Sequence, residues 1–173
     1  MESARSGGLT PYLRAGAMAA IATLAIDQAS KLWLLFVFGI AHRGVVTVTP
    51  FFDLVLAWNP GISFGWLQYD GTAAQIALMT VKAVAVVVLA IWMARSRTLL
   101  ATLALGLIIG GAIGNAIDRF AYGAVVDFAL FHVELGGKTY NWYVFNLADA
   151  AIVAGVAALL YDSFLGIPAA KAP

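Results

Sequence analysis

The chain contains no cysteine, and its two histidines, His42 and His132, each stand alone. Disulfides and thiolate chemistry are excluded, and no Cys/His set at short spacing is available to a metal. Charge is scarce as well: 11% of the 173 residues are Asp, Glu, Lys or Arg, and the formal net charge is +1. A soluble globular domain carries about 25% charged residues. The near-neutral balance offers no electrostatic footprint for nucleic acid as a partner. What fills the chain instead is apolar: 62% of residues are hydrophobic and the mean hydropathy is +0.91. That composition describes a multi-pass membrane protein, and the length leaves room for one membrane domain, 1–173, and little else.

A helix crossing a bilayer needs about 20 mostly apolar residues. Four stretches qualify, at about 14–36, 72–94, 98–117 and 146–166. The first resembles a signal peptide, with Arg5 and Arg14 ahead of "AGAMAAIATLAI", but apolar character resumes after Asp27 in "LWLLFVF". An uncleaved first span is the better reading. With four spans, Arg5, Arg14, Arg95, Arg97 and Lys171 all fall on one side, which the positive-inside rule makes cytoplasmic together with both termini. The other side receives the connections 37–71 and 118–145, where "GVVTVTPFFDLVLAW" and "FALFHVELGGKTYNWYVF" are rich in β-branched and aromatic residues. The "GGK" turn suggests a hairpin, so a small β element is expected on the outer membrane surface. The fold class is mainly α: four transmembrane helices with a small extracytoplasmic sheet.

On this topology the strongly polar side chains of the spans gather at one depth. Asp27 and Lys31 lie in the outward half of the first span, Asn115, Asp118 and Arg119 at the outer end of the third, and Asn146 and Asp149 at the outer start of the fourth. Lys82, in the second, is the exception. Charges within spans are expensive and usually face a bundle interior or a water-filled cavity. Each group also has a plain structural explanation. Asp27 and Lys31, four residues apart, can be a simple ion pair. Asp118 with Arg119 can anchor a helix end to headgroups. Asn146 with Asp149 resembles a helix cap. "WNPGISFGW" (58–66) can be an interfacial turn with Trp58 and Trp66 as anchors. Asp127, in "YGAVVDFALF", can face solvent from a strand. Together these explanations require a common depth for five unrelated reasons.

The chemistry narrows further. Ser30 and Lys31 are adjacent on a helix and point about 100° apart, which disfavours a serine–lysine pair. Ser63 with Lys31 or Lys82 has no support from spacing. "GLIIGGAIGN" is glycine-rich but lies within an apolar span, where small residues serve close helix packing. Carboxylates remain. Two Asp side chains sharing a site hold one proton between them, so one can activate water while the other donates to a scissile carbonyl. Asp127 and Asp149 are the best candidates, ahead of Asp27 and Asp118.

The motifs "DQASK" (27–31), "NPGISFG" (59–65), "GGAIGNAIDR" (110–119), "GAVVDF" (123–128) and "FNLADAAI" (145–152) resemble those of the bacterial lipoprotein signal peptidases (signal peptidase II) over nearly the whole chain. The resemblance implies a four-span intramembrane aspartic endopeptidase with a periplasmic β-cradle in the cytoplasmic (inner) membrane. It would remove the signal peptide from a prolipoprotein just before its diacylglyceryl-modified cysteine. It further implies Asp127 and Asp149 as catalytic residues and Asn59, Asn115, Arg119 and Asn146 as substrate-binding positions. Asp27, Lys31, Gly61, Gly111, Gly114 and Asp118 would support the site. No metal or organic cofactor is implied. The implied partners are lipid-modified prolipoproteins, membrane lipids and inhibitors of the globomycin type. Ser63 and Ala150 depart from the common alanine and serine at those positions, and neither removes a group the chemistry needs. The competing readings are a small proton- or cation-translocating protein and a non-catalytic lipid-binding scaffold.

Overall fold

Helix α1 (Leu13–Leu32) continues through a π-helical turn, Trp33–Phe38, and stops at Gly39, whose φ of 68° ends the spiral. The computed structural model describes residues 12–60 and 72–165, with side chains in the second stretch described from Met79 onward. Helices α2 (Thr72–Arg95), α3 (Leu99–Tyr122) and α4 (Leu147–Leu165) complete the bundle. Among the described residues, Leu13–Phe38, Leu99–Tyr122 and Leu147–Phe164 are long and apolar enough to cross a membrane. The surface agrees: Met18 and Ile21 of α1, Val37 of the π-helical turn, Val84 and Val87 of α2, and Val153 and Leu160 of α4 are exposed. Apolar residues turned outward from several helices match lipid as the surrounding medium.

Helix α3 is the central element and packs most extensively against α1 and α4. Small residues make this possible. A Cβ on Gly111 would lie 2.6 Å from the carbonyl oxygen of Ala148, and one on Gly114 would lie 2.5 Å from Oδ2 of Asp27. Side chains larger than hydrogen would therefore push α3 away from both neighbours. The helix starts where Thr98 accepts the Ala101 N–H on its Oγ1 at 3.1 Å, an N-cap placed just after the basic turn Arg95–Arg97. It ends at Gly123, with φ of 75° and its N–H on the Arg119 carbonyl at 3.0 Å. The apolar pattern predicts an end near 117; the helix instead runs on to Tyr122. Asp118 and Arg119 therefore belong to its last turns and not to the connection that follows.

Four antiparallel strands form one sheet in the order β1-β2-β3-β4: β1 (Val46–Thr49), β2 (Phe52–Asn59), β3 (Val125–Leu135) and β4 (Lys138–Asn141). The expected hairpin is present, with Leu135 opposite Lys138 and both Gly136 and Gly137 at positive φ, as a tight two-residue turn requires. Leu34, Ile40, Phe128 and Ala129 form the core that seats the sheet on the C-terminal end of α1 and its π-helical turn. A bulge in β2 between Leu54 and Ala57 shifts the register so that Ala57 faces Asp127 and Asn59 faces Val125. Beyond the sheet, the N–H groups of Phe128 and Ala129 both donate to the carbonyl of Phe145 (3.0 and 2.8 Å), and Phe145 returns its own N–H to Ala129 at 3.0 Å. That pairing delivers residue 146 to the side of residue 127.

Candidate active site

Five separate segments, α1, β2, α3, β3 and the start of α4, bring their polar residues together where the sheet meets the helices. Lys31 is the pivot. It is 2% exposed, and its ammonium has three acceptors: Asp27 Oδ2 at 2.8 Å, Asp118 Oδ2 at 2.7 Å and Asn115 Oδ1 at 3.1 Å. An ammonium has three protons and no acceptor capacity, so the three partners satisfy it completely. The i,i+4 ion pair expected of Asp27 and Lys31 exists, but it extends to α3. Asp27 also accepts the Ala148 N–H on Oδ1 at 3.0 Å, tying α1 to the first turn of α4. Asp118 accepts the Val126 N–H on Oδ2 at 3.1 Å, which holds the start of β3 against the end of α3. Asp118 is 1% exposed, so its role is internal and not that of a headgroup anchor.

On this base sits a second layer. Asn115 Oδ1 accepts from Lys31 and also from Asn146 Nδ2 at 3.0 Å, which turns the Asn115 amide nitrogen towards Asp149 Oδ1 at 2.8 Å. Asn146 Nδ2 donates as well to Asp127 Oδ1 at 2.7 Å, and Asn59 Nδ2 donates to Asp127 Oδ2 at 3.0 Å. Asn146 is fully buried. The cap expected at the head of α4 is reciprocal: Asn146 Oδ1 accepts the Asp149 N–H at 3.0 Å, and Asp149 Oδ2 accepts the Asn146 N–H at 3.2 Å. Asn146 and Asp149 form a capping box, the Asp side chain closing it from the first turn. One asparagine thus caps the helix, holds Asp127 and braces Asn115.

Asp127 and Asp149 are consequently members of one hydrogen-bonded unit although one comes from β3 and the other from α4. Asp127 is 2% exposed, so it does not face solvent from its strand. Burial pushes its carboxyl above the usual carboxylate range, and the negative charge of Asp149 pushes the same way. The hydrogen bonds from Asn59 and Asn146 and the charge of Lys31 oppose the rise. Among the described residues each of the four carboxylate oxygens has one donor, and a carboxylate offers about four acceptor sites.

Arg119 points its Nη1 at the Asn115 carbonyl, 3.1 Å away, while its buried Nε has no hydrogen-bond partner among the described residues. Gly111 and Gly114 lie at the helix contacts beneath the site. Gly61, Ser63 and Trp66 lie outside the described residues. Ser30 donates to the carbonyl of Asp27 at 2.7 Å, a local bond along its own helix. His132 lies further along β3, 3.2 Å from Asp53. One residue of the network was not anticipated. Gln28 Nε2 lies 2.9 Å from Asp118 Oδ1, 3.1 Å from the Gly114 carbonyl and 3.2 Å from Asp27 Oδ2. An amide next to Asp27 inside an apolar span was the available signal.

Comparison with known proteins shows the family. The family model described as signal peptidase (SPase) II matches residues 19–165. The lipoprotein signal peptidase of Nitrobacter hamburgensis is 75% identical over 165 residues, which is 95% of this chain and 100% of that protein. That of a strain of Rhodopseudomonas palustris is 69% identical over 165 residues, with the same coverage, 95% and 100%. A bacterial membrane enzyme solved by the in meso method at 2.3 Å resolution superposes with a TM-score of 0.73 at 23% identity, covering 95% of this chain and 98% of that one. The last likeness bears on the fold alone, and it agrees with a membrane-embedded helical bundle carrying a small sheet. The chain belongs to the signal peptidase II family.

Proposed function

We propose that Asp127 and Asp149 act as an aspartic dyad that hydrolyses the peptide bond just before the diacylglyceryl-modified cysteine of a prolipoprotein. The observation that carries this reading is the bridge of Asn146 and Asn115, which links the two carboxylates. Asp127 is the buried member, and its raised carboxyl makes it the holder of the shared proton at rest. Asp149 lies in the first turn of α4, where the helix dipole favours an anion. A water held between them loses a proton to Asp149 as its oxygen attacks the scissile carbonyl. Asp127 donates its proton to the carbonyl oxygen. Collapse of the tetrahedral intermediate breaks the C–N bond: the proton held on Asp149 goes to the leaving amine, and a hydroxyl of the diol returns its proton to Asp127 as the new carbonyl forms. No covalent intermediate forms.

Asn59 and Asn146 hold Asp127, and Asn115 holds Asp149, so their amides act mainly by fixing the dyad; Arg119, with its uncommitted Nε, is the group best suited to a substrate carbonyl. Both termini lie in the cytoplasm, the chain resides in the cytoplasmic membrane, and the site opens near its outer face, as the basic residues direct. Inhibitors of the globomycin type would occupy the same site. The test is cleavage by purified enzyme of a diacylglyceryl-modified prolipoprotein and of its unmodified form. The wild type cuts the modified form preferentially, and Asp127→Asn and Asp149→Asn each lose about a hundredfold or more in kcat. Equal cleavage of both substrates, or near-normal turnover by either variant, overturns the reading.

A further inference from the structure

Lys82 is unused by the mechanism above and sits where a cation is costly. It lies on α2, within a groove of about 540 Å³ between α2 and α3. Its neighbours on the groove wall are apolar, among them Met79, Val86, Ala112, Ile113, Ile117 and Phe120. Among the described residues, Lys82 is the only charged one in this lining and has no ion-pair partner within 4.0 Å. Its ammonium nevertheless lies within electrostatic reach of Arg119 and Asp149. Ile117, Phe120 and Ala121 of the groove wall belong to the same last turns of α3 that carry Asp118 and Arg119, so the groove runs alongside the site.

Direction matters here. Lys82 is ten residues into α2, roughly 15 Å from its first residue at the helical rise. Side chains on a helix tilt toward its N-terminus, which for α2 is the outer end in the proposed orientation. The ammonium therefore climbs toward Arg119 and the dyad and not toward the cytoplasm. It offers three protons and no acceptor. A long, apolar, laterally open slot with one donor group at its upper end fits an acyl chain terminated by an ester carbonyl.

We propose that this groove receives an acyl chain of the diacylglyceryl group on the substrate cysteine, and that Lys82 is a specificity residue donating to its ester carbonyl. The inference rests on the peptidase reading and adds to it which helices hold the lipid and which side chain reads it. The volume lies in the range of ligand pockets, roughly 300–1,000 Å³. A cation within a span marks a functional position by default, because its burial in hydrocarbon is unfavourable without a partner.

The experiment uses purified full-length enzyme in a detergent without ester groups. Two substrates of equal chain length are compared, one carrying a diacylglyceryl cysteine and the other its dialkyl ether analogue, which lacks the carbonyls. For the diacyl substrate, Lys82→Met is expected to raise KM about tenfold, the size of one charge-assisted hydrogen bond, with kcat nearly unchanged. Lys82→Arg keeps most of the affinity. With the ether substrate the wild type already shows the raised KM, and Lys82→Met changes nothing more. Ala112→Phe, which fills the groove from α3, raises KM for long-chain substrates and leaves short-chain ones alone. Equal effects of Lys82→Met on both substrates, or a fall in kcat with KM unmoved, overturn the proposal and assign Lys82 to the charge balance of the dyad. Suppression of the wild-type preference by added ester phospholipid assigns the groove to bulk lipid and overturns it too. Failure of the wild type to prefer lipid-modified over unmodified substrate defeats the peptidase reading itself, an outcome distinct from a silent Lys82→Met.

Discussion

Replacing Lys31 by methionine removes the pivot of the buried network while keeping the length of the side chain. The ammonium is 2% exposed and lies between Asp27, which is fully buried, and Asp118, at 1% exposure. Deleting it leaves two carboxylates in a low-dielectric interior with only neutral donors: Gln28 and the N–H groups of Ala148 and Val126. Breaking a buried pair by removing one partner costs about 3–5 kcal/mol. For a chain of this size about 1 kcal/mol moves Tm by roughly 2–4 °C, so the expected fall is roughly 6–20 °C. Function should suffer as well, by an indirect route. Asn115 Oδ1 loses one of its two donors, and the amide that it orients towards Asp149 gains freedom to turn. Well below Tm, kcat should drop about tenfold or more while KM changes little.

The assay is thermal unfolding in detergent together with steady-state cleavage at a temperature where both proteins are folded. Arg43→Met serves as the comparison. Arg43 is exposed, lies 4.4 Å from the Phe38 ring centroid, and donates to the Phe38 carbonyl at 2.7 Å. An exposed cation of that kind contributes about 1 kcal/mol or less, so Tm should move by only a few degrees. If Lys31→Met unfolds no earlier than Arg43→Met and keeps its kcat, the three-acceptor arrangement does not hold the site together.

Three further outcomes are expected. The carboxyl of Asp127 is raised in the folded state, so its contribution to stability is fullest below 3.8, the ordinary carboxylate value, and is lost as pH rises through the raised folded value. Tm of wild type minus Tm of Asp127→Asn should therefore decline as pH climbs from about 4, because the amide does not titrate there; a difference that grows with pH contradicts the assignment. Gly114→Ala should lose activity and stability together, since its Cβ would lie 2.5 Å from an Asp27 oxygen held by Lys31 and Gln28. Limited proteolysis and turnover read that change. Gln28→Leu should lower stability by about 1–3 kcal/mol in denaturant titration, the range for unsatisfying buried partners, whereas no change would mean that water replaces the amide.

Much of this was legible in the chain because hydrocarbon makes polar residues conspicuous. Asp27, Lys31, Asn115, Asp118, Asn146 and Asp149 stand out from apolar surroundings, at helix positions that share one end of the bundle. What escaped the sequence reading depends on contacts that leave no compositional trace. "DRFAY" interrupts the apolar run and so predicts an early end to α3, whereas the helix stops only where Gly123 supplies a positive φ. The bulge in β2 is invisible in "FDLVLAW", yet it sets the register opposite Asp127. The N–H groups of Val126 and Ala148 are backbone donors, indistinguishable in sequence from any others, and they join strand and helix to the two structural carboxylates. Gln28 was readable in principle, but an amide beside an Asp–Lys pair is easily taken as part of the same polar step.

The arrangement also explains how a lysine can sit so near the two carboxylates of the proposed dyad without silencing them. Its protons are committed to Asp27, Asp118 and Asn115, and none is directed at Asp127 or Asp149. Its influence reaches the dyad through an amide. Because Lys31 can only donate, Asn115 must present its oxygen downward and its nitrogen upward, towards Asp149. Asn146 is fixed in the same way: its oxygen caps α4, so its nitrogen is left for Asp127 and Asn115. Asp27 and Asp118 thus set the orientation of Lys31, Lys31 sets that of Asn115, and the asparagines set the two carboxylates. Carboxylates of one chemical kind serve two purposes here, and what separates them is the partner: those bonded to the ammonium build the frame, and those bonded only to neutral donors remain free to exchange a proton with water.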